Sequence, residues 1–511
     1  MTTANIMMLA TIMVYLIGML IIGFVVSKQN KSSDDFYLGG RRLGPLVTAM
    51  SAEASDMSSW LLMGLPGVAL IAGLAEATWT ALGLAIGTYV NWLIVAKRIR
   101  NYSAKIDAFT IPDFFSKRYK DKHNILSLIA ALVIIIFFVP YTASGFSACG
   151  KLFNTLFGID YVTAMIVSAV VIVGYTALGG FLAASVTDFI QSIVMTAALI
   201  TVLLFGINAA GGWEQVITNV ESLPGYLNLT STYDAATRAE TPYSALTIAS
   251  LLAWGLGYFG MPHILLRFMA INDASKLKTS RRVASVWVVI SMAVAIVIGI
   301  VGYGVVKAGV ISNLEDSERI IIEIARVMSQ KGALFAIVAG LILSGILAST
   351  MSTADSQLLA AASSVSQNIV VDFFSYKLSA KKSMIIARIS VIVISIIAVL
   401  ISLNPESSVF RVVSFAWAGF GAAFGPVVLF ALFWKRSNKW GALAGMVTGG
   451  ITVFIWKFII REIFKGTLLD IYELLPAFIL ACIAIVVVSL VTKAPSQEIC
   501  DEFDSVKSMV G

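Results

Sequence analysis

Apolar runs of about 20 residues recur along the whole chain with short polar segments between them, a pattern that predicts a bundle of membrane-spanning helices. Thirteen runs can be drawn, with limits near 6–26, 46–71, 74–96, 124–150, 160–178, 186–209, 244–270, 283–306, 333–370, 384–402, 408–434, 440–460 and 472–492. The second and the seventh are broken. Run 46–71 is interrupted by Ser55-Asp56-Met57-Ser58-Ser59 and again by Gly64-Leu65-Pro66-Gly67. Run 244–270 is interrupted by Gly255-Leu256-Gly257-Tyr258-Phe259-Gly260-Met261-Pro262. A helix broken in lipid leaves N–H and C=O groups without partners, which is tolerated only where the backbone lines a buried polar cavity. Two broken spans in corresponding places of two halves point to a transporter's binding site. Run 333–370 is too long for one perpendicular crossing and is expected to tilt or to extend past the bilayer.

Composition agrees with this reading. The 511 residues are 58% hydrophobic and 13% charged, with a mean hydropathy of +0.89. That leaves no room for a sizeable soluble domain. The net charge of +7 does not point to nucleic acid, because the basic residues follow loop parity. With the N-terminus outside, the inner loops hold about 25 Lys and Arg against about 10 on the outer side. The expected topology is therefore N-terminus out and C-terminus in the cytoplasm. The first run has no basic segment before it and is too long for a signal peptide, so it is read as a retained span. Cys149, Cys482 and Cys500 are far apart, show no metal-ligand spacing and predict no disulfide framework.

The candidate chemistry gathers at the breaks and in the ninth run. Ser349, Ser352, Thr353 and Ser356 stand at i, i+3, i+4 and i+7, which puts four hydroxyls on one helical face beside Asp355. Single hydroxyls of this kind are ordinary helix–helix contacts. Four in one stripe suit a hard cation such as Na⁺, with backbone carbonyls near Ala54 and Met57 completing the set. Asp56 lies inside the first break, where a carboxylate is a functional candidate and also a natural partner for free N–H groups. Glu53 lies one turn earlier. Asp188 suits a first-turn position, and with Asp355 and Ser356 it forms a candidate second cation or proton site. Trp254, Tyr258 and Pro262 at the second break, with Trp60 and Tyr141, suit a small solute with an apolar face. His263 has no acidic or thiol neighbour at ligand spacing, and Arg267 is expected to snorkel toward the inner surface. Segment 414–426 reads as a small-residue packing seam.

Seven stretches carry a resemblance. They are Phe36-Tyr-Leu-Gly-Gly-Arg-Arg42, Ser55-Asp-Met-Ser-Ser-Trp-Leu-Leu-Met-Gly-Leu-Pro-Gly67, Ile111-Pro-Asp-Phe-Phe115, Gly179-Gly-Phe-Leu-Ala-Ala-Ser-Val-Thr-Asp188, Trp254-Gly-Leu-Gly-Tyr-Phe-Gly260, Met351-Ser-Thr353 and Ala416-Trp-Ala-Gly-Phe-Gly-Ala-Ala-Phe-Gly-Pro426. Together they resemble the sodium:solute symporter family, most closely its proline-carrying branch. The resemblance implies an all-α polytopic membrane protein of about 13 helices, with a five-plus-five inverted-repeat core and discontinuous helices. The core would be 46–434, with repeats near 46–209 and 244–434. An extra span lies in 1–45, and two more with a short tail in 435–511. The resemblance further implies a Na⁺ site from the carbonyls of Ala54, Met57 and Ser349 with the hydroxyls of Ser352 and Thr353, and roles for Asp56 and Asp188 in cation dependence. Solute contacts carry over to Ser58, Trp60, Tyr141, Trp254, Tyr258 and Pro262. The chain departs from the branch at Glu53 and Ser59, where Gly is usual, at Met261, where Gln is usual, and at Asp355, where a neutral residue is usual.

The expected function is Na⁺-coupled symport of a small solute, L-proline first, across the lipid bilayer of the cytoplasmic membrane, with no cofactor. Two alternatives remain: symport of another solute, such as a carboxylate or pantothenate, and a sensor that binds solute without turnover. The chain ends about 20 residues after its last run, which counts against a fused signalling domain. An intramembrane hydrolase needs a base for its nucleophile, and His263 has no serine partner in the sequence.

Overall fold

The computed structural model describes residues 2–28, 33–312, 314–376 and 378–509. Residues 29–32 and 377, inside two of the loops expected to face inward, lie outside the described residues.

Eleven of the described helices are long and apolar enough to cross a membrane. A twelfth crossing is the pair Ala245–Gly260 and Pro262–Ala270, bent by 47°. The fifth expected run is a shorter apolar helix, Tyr161–Ala177. It leads into the sixth at Gly180, whose φ of 67° and ψ of −178° turn the chain within one helical stretch. Only glycine adopts that backbone without strain.

The helices that position the site are α1 (Thr3–Ser27), α2 (Pro45–Ser59), α3 (Leu65–Ala72), α4 (Leu74–Val90), α5 (Ile125–Phe157) and α6 (Tyr161–Ala209). They continue with α7 (Ala245–Leu252), α8 (Pro262–Ala270), α9 (Leu277–Lys307), α10 (Ala333–Ser363) and α11 (Val409–Phe433). The first break is at Ser58, with φ of 44° and ψ of −171°. The second interruption expected in that span is absent. Trp60–Gly64 forms wide turns that lead without a gap into α3, where Pro66 sits in the first turn and costs no hydrogen bond. In the seventh run the chain tightens to a 3₁₀ segment over Ala253–Gly260 and then bends at Met261 into α8. Helix α10 continues as wide turns to Phe373, so the element is 41 residues long. At about 1.5 Å per residue it is roughly twice the thickness of a bilayer core. The long segment after α6 carries a short helix and a two-stranded antiparallel hairpin, Ser231–Asp234 with Ala239–Pro242. A last helix (Gln497–Ser508) buries Ile499, Phe503 and Val506 and pairs Glu498 and Glu502 with Lys120.

Glycines let the second break approach its neighbours. A Cβ on Gly87 of α4 would lie 2.3 Å from the Gly255 carbonyl oxygen, and one on Gly260 would lie 2.2 Å from the Phe420 carbonyl oxygen. The small-residue seam of α11 therefore packs against the broken span: a Cβ on Gly421 would lie 2.8 Å from Gly257 Cα. Overpacking of this kind costs about 1–3 kcal/mol or more where the obstacle is backbone. Gly87→Val is expected to remove most correctly folded protein, measured by size-exclusion chromatography in detergent. Gly18→Ala, where a Cβ meets nothing within 4 Å, is expected to leave the profile unchanged.

Candidate functional site

The two breaks meet at the centre of the bundle, and side chains from unbroken helices take up their free backbone groups. Ser352 Oγ on α10 donates to the Ala54 carbonyl at 2.8 Å and lies 3.2 Å from the Ser349 carbonyl. Thr353 Oγ1 donates to the same Ser349 carbonyl at 3.1 Å. Two hydroxyls and two carbonyls thus converge where α2 is about to break, all in residues buried to 97% or more. This oxygen-only group matches what a hard monovalent cation needs to replace its water. The Ser349 hydroxyl itself turns to the Ile346 carbonyl, so Ser349 offers its backbone oxygen. The Met57 carbonyl accepts from the Trp60 N–H within the break.

Asp56 ties one break to the other. Its Oδ2 accepts from the Tyr258 hydroxyl at 2.6 Å, and its carbonyl accepts from Tyr141 at 3.1 Å. The Ser58 hydroxyl accepts from the Trp60 N–H at 3.1 Å, and Asn91 donates to the Tyr258 carbonyl at 2.9 Å. Glu53 is buried beside this group, with Oε1 accepting from Thr88 and Trp92.

Asp188, Asp355 and Ser356 form a second cluster, organised by Arg267. Arg267 does not reach the inner surface; it is 1% exposed. Its Nη2 lies 3.0 Å from Asp188 Oδ2 and 2.5 Å from Ser356 Oγ, and its Nε donates to Ser51, which donates in turn to Asp188. Ser356 also donates to Asp355 Oδ1 at 3.1 Å. Its fork is satisfied directly by Asp188, through the hydroxyls of Ser51 and Ser356, and by the His263 carbonyl. The spacing of Arg267 from His263 gave only its helical face. Its charge in the middle of an apolar run was the available signal.

Trp60 and Trp254 stack with Phe410, with ring centroids 5.5–5.8 Å apart. Tyr472 extends the stack on Trp254 at 5.0 Å, and Trp417 Nε1 donates to the Trp254 carbonyl at 2.7 Å. Beside this aromatic wall is a narrow, partly open void, too tight in this structure to hold a water molecule, lined by Ser58, Ser59, Tyr141, Thr142, Thr353 and Gln357, among others. Of the expected solute contacts, Ser58 and Tyr141 line the void. Trp60, Trp254 and Tyr258 stand in the surrounding wall, and Pro262 opens α8. Thr353 belongs both to the void and to the hydroxyl stripe, so the two sites share a residue. Gln357 and Thr142 were not singled out in the sequence; Gln357 follows Thr353 by one turn and shares its face.

The model of the sodium:solute symporter family matches residues 36–449. The chain belongs to that family. As a member it is a secondary transporter and not an enzyme. It is 44% identical over 486 residues to the osmoregulated proline transporter OpuE of Bacillus subtilis (strain 168), covering 95% of this chain and 94% of that one. It is 42% identical over 503 residues to the sodium/proline symporter of Escherichia coli (strain K12), covering 96% and 94%. Among solved structures it resembles the substrate-bound outward-open state of a Na⁺-coupled sialic acid symporter, with TM-score 0.78, 18% identity, and coverage of 96% of this chain and 98% of that one. It also resembles MhsT in complex with L-phenylalanine, with TM-score 0.54, 15% identity, and coverage of 88% and 98%. Those likenesses show an all-α polytopic transporter fold with discontinuous helices.

Removing one member of a buried ion pair costs about 3–5 kcal/mol, because the other charge is left without a partner. Arg267→Met is therefore expected to lower the thermal stability of this symporter-family protein sharply. The double variant Arg267→Met with Asp188→Asn is expected to be less destabilised than Arg267→Met alone. Unfolding in detergent at fixed salt measures both.

Proposed function

We propose that this protein carries L-proline into the cell together with Na⁺, by alternating access across the cytoplasmic membrane, with its N-terminus outside and its C-terminus in the cytoplasm. The observation that carries the reading is the contact of Ser352 with the Ala54 carbonyl. It joins the break in α2 to the hydroxyl stripe of α10, next to a void lined by Ser58 and Tyr141. Na⁺ at Ala54, Met57, Ser349, Ser352 and Thr353 would hold the broken span against α10 and shape the solute void in one step. The curated relatives named as proline transporters support the choice of solute, and the excess of basic residues in the inner loops supports the orientation. The repeats run near 46–209 and 244–434.

In this reading Asp56, held by Tyr258, keeps the two breaks in register, while Trp60, Trp254, Tyr258 and Pro262 form the wall against which the solute is enclosed. Asp188, Asp355 and Ser356 make a second cation or proton site. Two carboxyl groups there share one guanidinium, Asp188 directly and Asp355 through Ser356. Binding of each ligand favours the closed state that the other also favours, and this is the physical content of coupling.

Uptake of labelled L-proline into proteoliposomes, with and without an inward Na⁺ gradient and against a panel of competing solutes, tests the whole proposal. Gradient-driven accumulation of proline is expected. Accumulation of a competitor instead would move the solute assignment toward Ser59 and Met261, and binding without accumulation of anything would leave a sensor. Ser352→Ala combined with Thr353→Ala is expected to abolish Na⁺-driven uptake. Asp355→Ala is expected to change the number of cations moved per solute, read from reversal potentials, while the order of competing solutes stays the same.

A further inference from the structure

The hydrogen-bond state of the void points to the chemical group it receives. Most of the hydroxyls that line it are already engaged. Tyr141 donates to the Asp56 carbonyl at 3.1 Å and Ser144 to the Tyr141 carbonyl at 2.6 Å. Thr350 donates to the Ile346 carbonyl at 3.0 Å and Thr353 to the Ser349 carbonyl at 3.1 Å. Thr142 donates to Gln357 Oε1 at 3.0 Å. Among the described lining residues, two buried donors have no partner: Ser59 Oγ and Gln357 Nε2. Both side chains are completely buried. Among the described residues Thr142 has no other acceptor, so its hydroxyl donates to the Gln357 oxygen and leaves the NH₂ over. An amide that kept two N–H groups idle at this depth would destabilise the fold, since buried donors are nearly always paired.

We propose that Gln357 Nε2, with Ser59 Oγ lining the same void from the first break, binds the carboxylate of the transported solute. This rests on the symport reading above and deepens it. The two donors are on different elements, α10 and the first break, so an acceptor with two oxygens bridges them. Thr353 lines the same void and also supplies the hydroxyl stripe, so a carboxylate here is held next to the coupling cation. The attraction between the two in a medium of low dielectric makes each favour the binding of the other. Gln357 thereby becomes a specificity-determining residue: a carboxylate offers it and Ser59 two charged acceptor oxygens, whereas the corresponding amide offers one neutral oxygen and turns an NH₂ toward the remaining donor. Ser59, where the proline branch usually has Gly, adds a donor at the same spot.

The test compares wild-type protein with Gln357→Met in proteoliposomes, reading competition of labelled L-proline uptake by L-proline and by L-prolinamide. The wild type is expected to prefer proline strongly. Gln357→Met is expected to raise the KM for proline by about 10- to 100-fold, the range for a lost hydrogen bond to a charged group. Its inhibition by prolinamide should change by no more than about threefold, so that discrimination collapses. Unchanged discrimination in Gln357→Met overturns the proposal. If Gln357→Met fails to fold, Thr142→Val serves in its place. It frees the amide to turn its oxygen inward, and a smaller rise in KM for proline with tighter inhibition by prolinamide is expected; an unaltered preference for proline overturns the proposal. A wild-type protein that carries another acid in place of proline defeats the proline assignment alone, and the same comparison is then made between that acid and its amide. A wild-type protein that accepts no carboxylate-bearing solute, in uptake or in equilibrium binding, overturns the subsite itself.

Discussion

A helix broken inside an apolar medium must find partners for the backbone groups it releases, and the rest of this structure is arranged around that requirement. Each unpaired amide or carbonyl buried without a partner costs several kcal/mol. Here the released carbonyls are taken by side chains of other helices: Ala54 by Ser352, Tyr258 by Asn91, and Trp254 by Trp417. The glycines of α4 and α11 allow this, because a methyl group at Gly87 or Gly421 would hold the elements apart. A backbone satisfied by side chains rather than by its own helix is also one whose oxygens are within reach of a cation. The arrangement that repairs the breaks is therefore the one on which the proposed ion site rests.

Buried charge is handled with similar economy. Arg267 is shared among Asp188, Ser51 and Ser356, and Asp56 accepts from a tyrosine instead of pairing with a base. Lys151, 1% exposed, lies 2.8 Å from Asp316 and 3.0 Å from Glu318. Glu318 in turn accepts from the N–H groups of Val409 and Phe410 and so caps α11.

Much of the site was legible along the chain. The 3.6-residue period alone puts Ser349, Ser352, Thr353 and Ser356 on one face, and they do share it. The glycines around Tyr258 and the proline at 262 mark a real bend. The wide turns at Trp60–Gly64 were not legible: Gly64, Pro66 and Gly67 read as a second interruption, yet Pro66 falls in a first turn, where its missing N–H breaks no bond. The merging of the fifth and sixth runs at Gly180 was also hidden, because a single glycine with positive φ looks the same in sequence as any other small residue.

The sequence by itself determined that the chain lives in a membrane, where its helices break and which faces carry hydroxyls, since hydropathy and helical period are local properties. It also carried the family motifs. Tertiary structure alone decided the partners. Ser352 meets a carbonyl 298 residues away, Tyr258 meets Asp56 across 202, and Thr142 meets Gln357 across 215. Spacing along a chain fixes the direction in which a side chain leaves its own helix. What stands opposite depends on how the helices pack, and that is set by the whole bundle at once. For this reason Arg267 pointed to the surface on local grounds and is found in the core, and Gln357 carried no mark in the sequence until the fold placed its amide at the wall of the void.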